Sequence, residues 1–471
     1  MEKLTSWLEK YILPIASKMG AQKHLVALRD AFIGTLPATM AGSVAVMLNA
    51  ILRDLPPDFI EGYDGTTIPV ISQIITINGY VWNGTLAIAG LIFVFSWGYN
   101  LARAYKVNEL AGGIVSTAAS IAGIQFSFSG AVEGLSLDQA SMDVLNEAGW
   151  EATTDSLTAN GWGWLPLSNL DGNFFFTAMI IGFVSTMIYI KLMEADITIK
   201  LPDSVPPAVS KAFAAIIPAT VALYAIAIFY WVFSLIVPDL TFLDWLQETV
   251  ALPLLGLSQG FGAVAITTLF VQLFWFFGIH GPNVLAPILE GVFGIAQLEN
   301  VNLFQNGGMK AVIDEGYLWV RGSFDAYSWF GGSGGTLVLV LAILLFSKRE
   351  DYLTVAKLSV GPGIFNINEP MLFGMPVVLN AMLFVPFLIA PVISVAIGYF
   401  ATYFGLVNPV SVQVAWVTPP FLMSFLATGA DWRAPIVTLV AMIVSFAIWT
   451  PFVIAANKME ATSLEEASED L

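Results

Sequence analysis

Long apolar blocks, separated by short polar joints, run through most of the chain. Several are long enough for the roughly 20 residues that cross a hydrocarbon core about 30 Å thick. The blocks lack the two-residue alternation of lipid-facing barrel strands, so the pattern predicts spanning helices. These fall near 30–52, 81–102, 109–128, 174–192, 212–237, 260–278, 335–347, 380–400, 405–426 and 434–456. The fold class is therefore an all-α polytopic membrane protein with about ten transmembrane helices. An even number of crossings puts both termini on one side.

Ahead of the first span, Leu4, Trp7, Leu8, Tyr11, Ile12, Ile15 and Met19 recur at helical spacing, with Lys3, Glu9, Lys10 and Lys18 elsewhere on the wheel. This predicts an amphipathic interfacial helix over 1–22, bent at Pro14. It is not a signal peptide, because it has no uninterrupted apolar core and no small-residue cleavage site. A polar stretch with Pro56, Pro57 and Gly65 follows the first span.

Two segments do not read as simple spans. Residues 276–294, FFGIHGPNVLAPILEGVFG, and 361–380, GPGIFNINEPMLFGMPVVLN, are apolar enough to enter a membrane. Yet Gly and Pro break them, and both carry polar side chains. Broken backbone persists at membrane depth only where protein or a wet cavity satisfies its open N–H and C=O groups. Paired interruptions of this kind mark transporter binding sites. Both lie late in the chain, which divides it into a scaffold half, 1–211, a connecting span and amphipathic segment, 212–259, a substrate-binding half, 260–456, and an acidic tail, 457–471.

Composition supports the membrane reading. Of 471 residues 57% are hydrophobic and 11% charged, against about 25% charged in soluble domains. The net charge of −17 is uneven. Segment 129–172 carries Glu133, Asp138, Asp143, Glu147, Glu151, Asp155 and Asp171 with no Lys or Arg. Basic residues gather at Lys18, Lys23 and Arg29, at Arg103 and Lys106, at Lys191, Lys200 and Lys211, and at Lys348, Arg349 and Lys357. The positive-inside rule makes those clusters cytoplasmic and 129–172 external. This balance argues against a nucleic-acid partner. With no cysteine, and His24 and His280 as the two histidines, a metal centre is not expected. A Walker loop is absent, so ATP hydrolysis is not expected either.

The candidate chemistry sits in the broken segments. His280 lies among Gly278, Gly281, Pro282 and Asn283; it either lines a polar site or caps a turn through its ring nitrogens. Glu369, with Asn366, Asn368 and Pro370, either accepts hydrogen bonds from a hydroxyl-rich substrate or serves a helix N-terminus, and the two roles are compatible. Glu290 either lines the same cavity or ends a hairpin at the interface. His24 reads as a surface residue of the basic N-terminal region. Trp275, Trp329 and Trp416 are candidates for stacking on a pyranose face, or belong to interface belts.

The motifs G-I-H-G-P-N and N-I-N-E-P-M-L-F-G, with the opening ASKMGAQKHLVALRDAFIGTLPATMAG, resemble the membrane component C of phosphotransferase-system enzyme II, in its lactose/cellobiose/chitobiose branch. The resemblance spans essentially the whole chain and is nearest to cellobiose-type permeases. It implies ten transmembrane helices with two re-entrant hairpins, in a homodimer of the bacterial cytoplasmic membrane whose termini are cytoplasmic. It implies a C-terminal half that carries one disaccharide inward as a rigid body, and a phosphocysteine on a cytoplasmic B component, charged through an A component, that phosphorylates the sugar 6-hydroxyl. By this resemblance His280 and Glu369 bind sugar, and Trp416 contacts a ring through a looser match; the catalytic role expected of Glu369 and His280, holding the 6-hydroxyl while one of them takes its proton, is a physical hypothesis added to it. Asn283 and Asn368 adjoin matched positions and join the candidate set. Lacking a thiol, the chain is expected to use separate B and A proteins. No cofactor is implied. From the residues alone, a proton-coupled secondary transporter with His280 and Glu369 as relay, or a channel or scaffold without coupled chemistry, also stays open.

Overall fold

The computed structural model describes residues 22–469, apart from 55, 59, 134–135, 148–149, 164, 173, 203, 376 and 381. The expected amphipathic helix over 1–22 therefore lies outside the described residues except for Gln22, which caps the first helix by accepting from the Leu25 N–H at 2.7 Å. The acidic tail continues the last helix, Arg433–Glu469, and side chains beyond Asn457 are outside the description.

The protein is an all-α polytopic membrane protein. Six helical segments are long and apolar enough to cross a membrane, among the described residues: Lys23–Arg53, Pro69–Ala104, Phe174–Glu194, Pro207–Ile236, Phe384–Tyr403 and Arg433–Asn457. A seventh arises if Phe242–Ser258 and Phe261–Phe276, which meet at 76°, form one broken span. Glu109–Ile121 and Thr336–Phe346 are apolar but shorter.

The helices Lys23–Asn49, Ala89–Ala104, Glu109–Ile121, Phe174–Glu194 and Pro207–Ile236 pack as one bundle. Small residues permit the close approaches, because dispersion rather than hydrophobicity drives helix association in lipid. A Cβ on Gly98 would collide with Ser116 and with the Gly112 backbone on the facing helix. At one end of this bundle Lys23 and Lys191 lie over the Tyr105 ring, at 4.9 and 5.7 Å. His24 is half-buried there, with Nε2 2.7 Å from the Tyr105 hydroxyl and its ring edge-on to Phe183 at 5.2 Å. It is a packed residue, not the free surface group its basic surroundings predict.

The later helices Phe261–Phe276, Thr336–Phe346, Phe384–Tyr403, Pro420–Ala427 and Arg433–Glu469 form a second cluster. Two expected spans are helical only in part: 109–128 is a helix over Glu109–Ile121 and runs into a strand from Ser127, and 405–426 is helical only over Pro420–Ala427. Pro409, Pro419 and Pro420 and a run of β-branched residues break the latter. The freed backbone instead pairs Ser411 and Val412 N–H with the Ala427 carbonyl, at 2.8 and 3.0 Å.

Two further departures have physical causes. The supposedly polar stretch after the first span contains the helix Pro69–Asn83, whose Asn78 is buried and donates to Asn49 Oδ1 at 2.8 Å. Asn78 thereby links this helix to the first one. The acidic segment holds a three-stranded antiparallel sheet in the order β1 (Ser127–Glu133), β3 (Ser156–Trp162), β2 (Glu151–Ala152), with Ser127 opposite Trp162.

Asn300, fully buried on Ile295–Glu315, ties the second cluster's loops together. Its amide donates to the Tyr317 and Val410 carbonyls, both at 2.8 Å, and its oxygen accepts from the Tyr317 N–H at 2.7 Å. Asn300→Leu leaves three backbone groups without these partners, at about 1–3 kcal/mol each. A loss of about 5 °C or more in melting temperature in detergent is expected, measured against a surface substitution such as Asp314→Asn.

Candidate functional site

The first broken stretch leaves Phe261–Phe276 through Gly278, whose φ of +74° turns the chain back. His280 then caps the short helix Gly281–Val284: its Nδ1 accepts from the Asn283 N–H at 3.2 Å. Because a backbone N–H can only donate, Nδ1 carries no proton, and the neutral ring holds its hydrogen on Nε2. The Trp275 ring packs on this imidazole with centroids 4.5 Å apart. The capping alternative is thus realised, and it orients the other ring nitrogen.

The second stretch leaves Glu350–Ile364 through Asn366, whose φ is +60°. Asn366 is buried and uses its whole side chain on backbone. Its oxygen accepts from Gly331 N–H at 2.9 Å, and its amide donates to the Trp416 and Thr418 carbonyls at 2.7 and 2.8 Å. Three chain segments are clamped by one residue. Asn368 likewise is buried and donates to the Ser333 carbonyl at 2.7 Å. Asn368 is the N-cap of Glu369–Gly374 and Glu369 stands in its first turn, so the expected helix N-terminus is there, without a side-chain capping hydrogen bond. Glu369 is exposed, with no recorded hydrogen bond or ion pair to its carboxylate among the described residues. The two broken stretches meet where Leu379 N–H donates to the Phe276 carbonyl at 2.9 Å.

His280, Asn283, Asn368, Glu369 and Trp416 line one cavity of about 400 Å³. Glu290, Trp275 and Trp329 line it as well. Trp416 is 45% exposed, its ring held on the loop that Asn366 anchors. The volume lies within the range of about 300–1,000 Å³ usual for small-molecule pockets. Trp275 Nε1, Trp329 Nε1 and Gln413 Oε1, on residues that line the cavity, are buried with no hydrogen-bond partner among the described residues.

Other lining residues were not legible in the sequence. Arg321 donates to Glu290 at 2.8 Å and to Asp325 at 2.7 Å, and lies over the Trp329 ring at 4.7 Å. The glycine run 331–335 has positive φ at Gly331, Gly332, Gly334 and Gly335. A Cβ on Gly332 would come within 2.7 Å of Asn368, so the bare backbone lets Asn368 reach the cavity wall. Such a loop has a sequence signal, G-G-S-G-G, but its partner has none. The opposite wall comes from the first bundle: Arg29, Phe32, Ile33, Leu36 and Met40 on Lys23–Asn49, with Phe175. The half read as scaffold is thus also part of the cavity.

Residues 29–391 match the family description "Phosphotransferase system, EIIC". The chain belongs to that family. It is 48% identical to the PTS system cellobiose-specific EIIC component of Lactococcus lactis, over 99% of this chain and 100% of that protein. To the lichenan permease IIC component of Bacillus subtilis it is 33% identical, over 96% and 93% of the two chains. Its structure is similar to that of the transporter ChbC, the IIC component of an N,N'-diacetylchitobiose-specific phosphotransferase system, with a TM-score of 0.84 at 29% identity, covering 98% and 99%. This EIIC protein is therefore a multi-pass membrane sugar transporter that works with B and A components, as the sequence resemblance implied.

Because Asn366 holds the Trp416 loop against the broken helix, Asn366→Gly removes three hydrogen bonds while keeping the positive φ accessible. Sugar affinity should fall about tenfold or more, as read by calorimetry, with helix content by circular dichroism unchanged.

Proposed function

We propose that this EIIC protein imports a β-linked disaccharide, cellobiose first among them, and presents its 6-hydroxyl for phosphorylation by a cytoplasmic B component. The single observation that carries this reading is the Glu369 carboxylate, without a recorded protein partner, facing the same cavity as a His280 ring whose Nδ1 is already occupied. The cellobiose-specific relative at 48% identity supports the sugar.

The division of labour follows from the hydrogen bonds. With its proton on Nε2, His280 donates to a sugar hydroxyl and orients it. Glu369 is the acceptor, and so the general base: it takes the hydroxyl proton as the sugar oxygen bonds to phosphorus and the phosphorus–sulfur bond of the B-component phosphocysteine breaks. Asn283 and Asn368 offer further polar contacts, and Trp416, 45% exposed, stacks on a ring face, while Trp275 is buried against the His280 ring. Phosphorylation adds about two negative charges, which Glu369 repels, favouring release inward. By the resemblance, the molecule works as a homodimer, with cytoplasmic termini and a C-terminal half that moves.

Glu369→Gln preserves shape and removes the base. Phosphorylation by the purified B component should fall about 100-fold or more, with cellobiose affinity within a few-fold of wild type. An unchanged rate excludes Glu369 as the base. A calorimetric panel of β-linked disaccharides tests the sugar, with tight cellobiose binding expected. Uptake that collapses with an uncoupler and delivers unmodified sugar would instead establish the proton-coupled alternative.

A further inference from the structure

The reaction proposed above places a dianion beside a carboxylate, and such a group is held best by a guanidinium, whose planar fork gives charge-assisted, paired hydrogen bonds. Two arginines line the cavity, Arg29 and Arg321. Arg321 is engaged by Glu290 and Asp325 together, so that cluster carries net negative charge. Arg29 differs in its surroundings. Its Nε and Nη2 both bond one oxygen of its neighbour Asp30, at 2.9 and 2.6 Å. The two side chains are 28% and 41% exposed, so water screens the pair. Arg29 lines the cavity and Asp30 does not.

Arg29 further lies toward one particular end of the cavity. It stands six residues after Lys23, which shares its end of the bundle with Lys191, both over Tyr105. Under the positive-inside rule that is the face a cytoplasmic phosphoryl donor approaches.

We propose that Arg29 is the phosphoryl-binding residue of this site, contributed by the first bundle to chemistry carried by the second. It receives the incoming phosphoryl group as the phosphorus–sulfur bond breaks and the sugar oxygen–phosphorus bond forms, the hydroxyl proton passing to Glu369 and the thiolate remaining on the B component. It then holds the sugar phosphate toward the basic end, so Glu369 repels the product from the side opposite to the one that attracts it. This rests on the phosphoryl-transfer reading above.

Calorimetry on the full-length protein in detergent, with cellobiose and with cellobiose 6-phosphate, tests it without a B component. Wild type should bind both sugars. Arg29→Gln should bind cellobiose within about twofold of wild type and lose about tenfold or more for the 6-phosphate, with Arg29→Lys between them because it keeps the charge and loses the fork. Equal weakening of both sugars makes Arg29 a structural residue and overturns the proposal, as does an unchanged 6-phosphate affinity. Cellobiose binding reports that each variant is folded, and if Arg29→Gln does not fold, Arg29→Lys carries the comparison. Wild type that ignores cellobiose but binds another disaccharide of the panel overturns the sugar assignment alone, and the comparison then uses that sugar and its 6-phosphate.

Discussion

A helix that breaks inside an apolar bundle exposes backbone N–H and C=O groups, and each must find a partner or cost several kcal/mol. Asn366 meets that constraint for three segments at once. It bonds the glycine run at Gly331 and the loop carbonyls of Trp416 and Thr418 from a turn that only a positive φ allows. Asn368 and Asn300 do the same for Ser333, Tyr317 and Val410. The polar residues of this protein's second half are largely occupied in holding broken backbone, and the cavity is the space those fixed breaks leave.

That division separates structural from chemical side chains. Asn366 spends both amide hydrogens and one oxygen lone pair on backbone, whereas the Glu369 carboxylate has no hydrogen-bond partner among the described residues. His280 stands between them: one nitrogen is committed to the Asn283 N–H, and the other is thereby aimed and given its proton. A capping role and a ligand role are the two ends of one ring.

The cavity is also a joint between two bundles. One wall is the Arg29 to Met40 face of the first helix with Phe175, and the rest comes from residues after 270. Thr35 and Thr39 on that face bond their own helix carbonyls, to Phe32 at 2.7 Å and to Thr35 and Leu36 at 3.3 Å. The face therefore needs no hydrogen bond from the opposite wall; elsewhere the two halves are joined by Asn302, which donates to Asp171 at 3.1 Å.

Hydrophobic block length made the helices legible, because the thickness of a bilayer imposes it on any spanning segment. Glycine and proline within apolar stretches likewise marked 276–294 and 361–380, since such breaks are tolerated only beside a cavity. Proximity was not legible. Arg29 counts in the sequence as one more basic residue, Arg321 and Asp325 as isolated charges, and 405–426 as an apolar run. Whether a charge faces a cavity or a lipid headgroup, and whether an apolar run coils or extends, depends on which backbone groups and side chains lie opposite. Those partners come from distant parts of the chain, as Asn366 does for Trp416. The sequence alone thus determined most of the membrane-spanning helices and two of the places where they fail; tertiary packing decided the rest and what the failures enclose, because only there do separated segments satisfy one another's open hydrogen bonds.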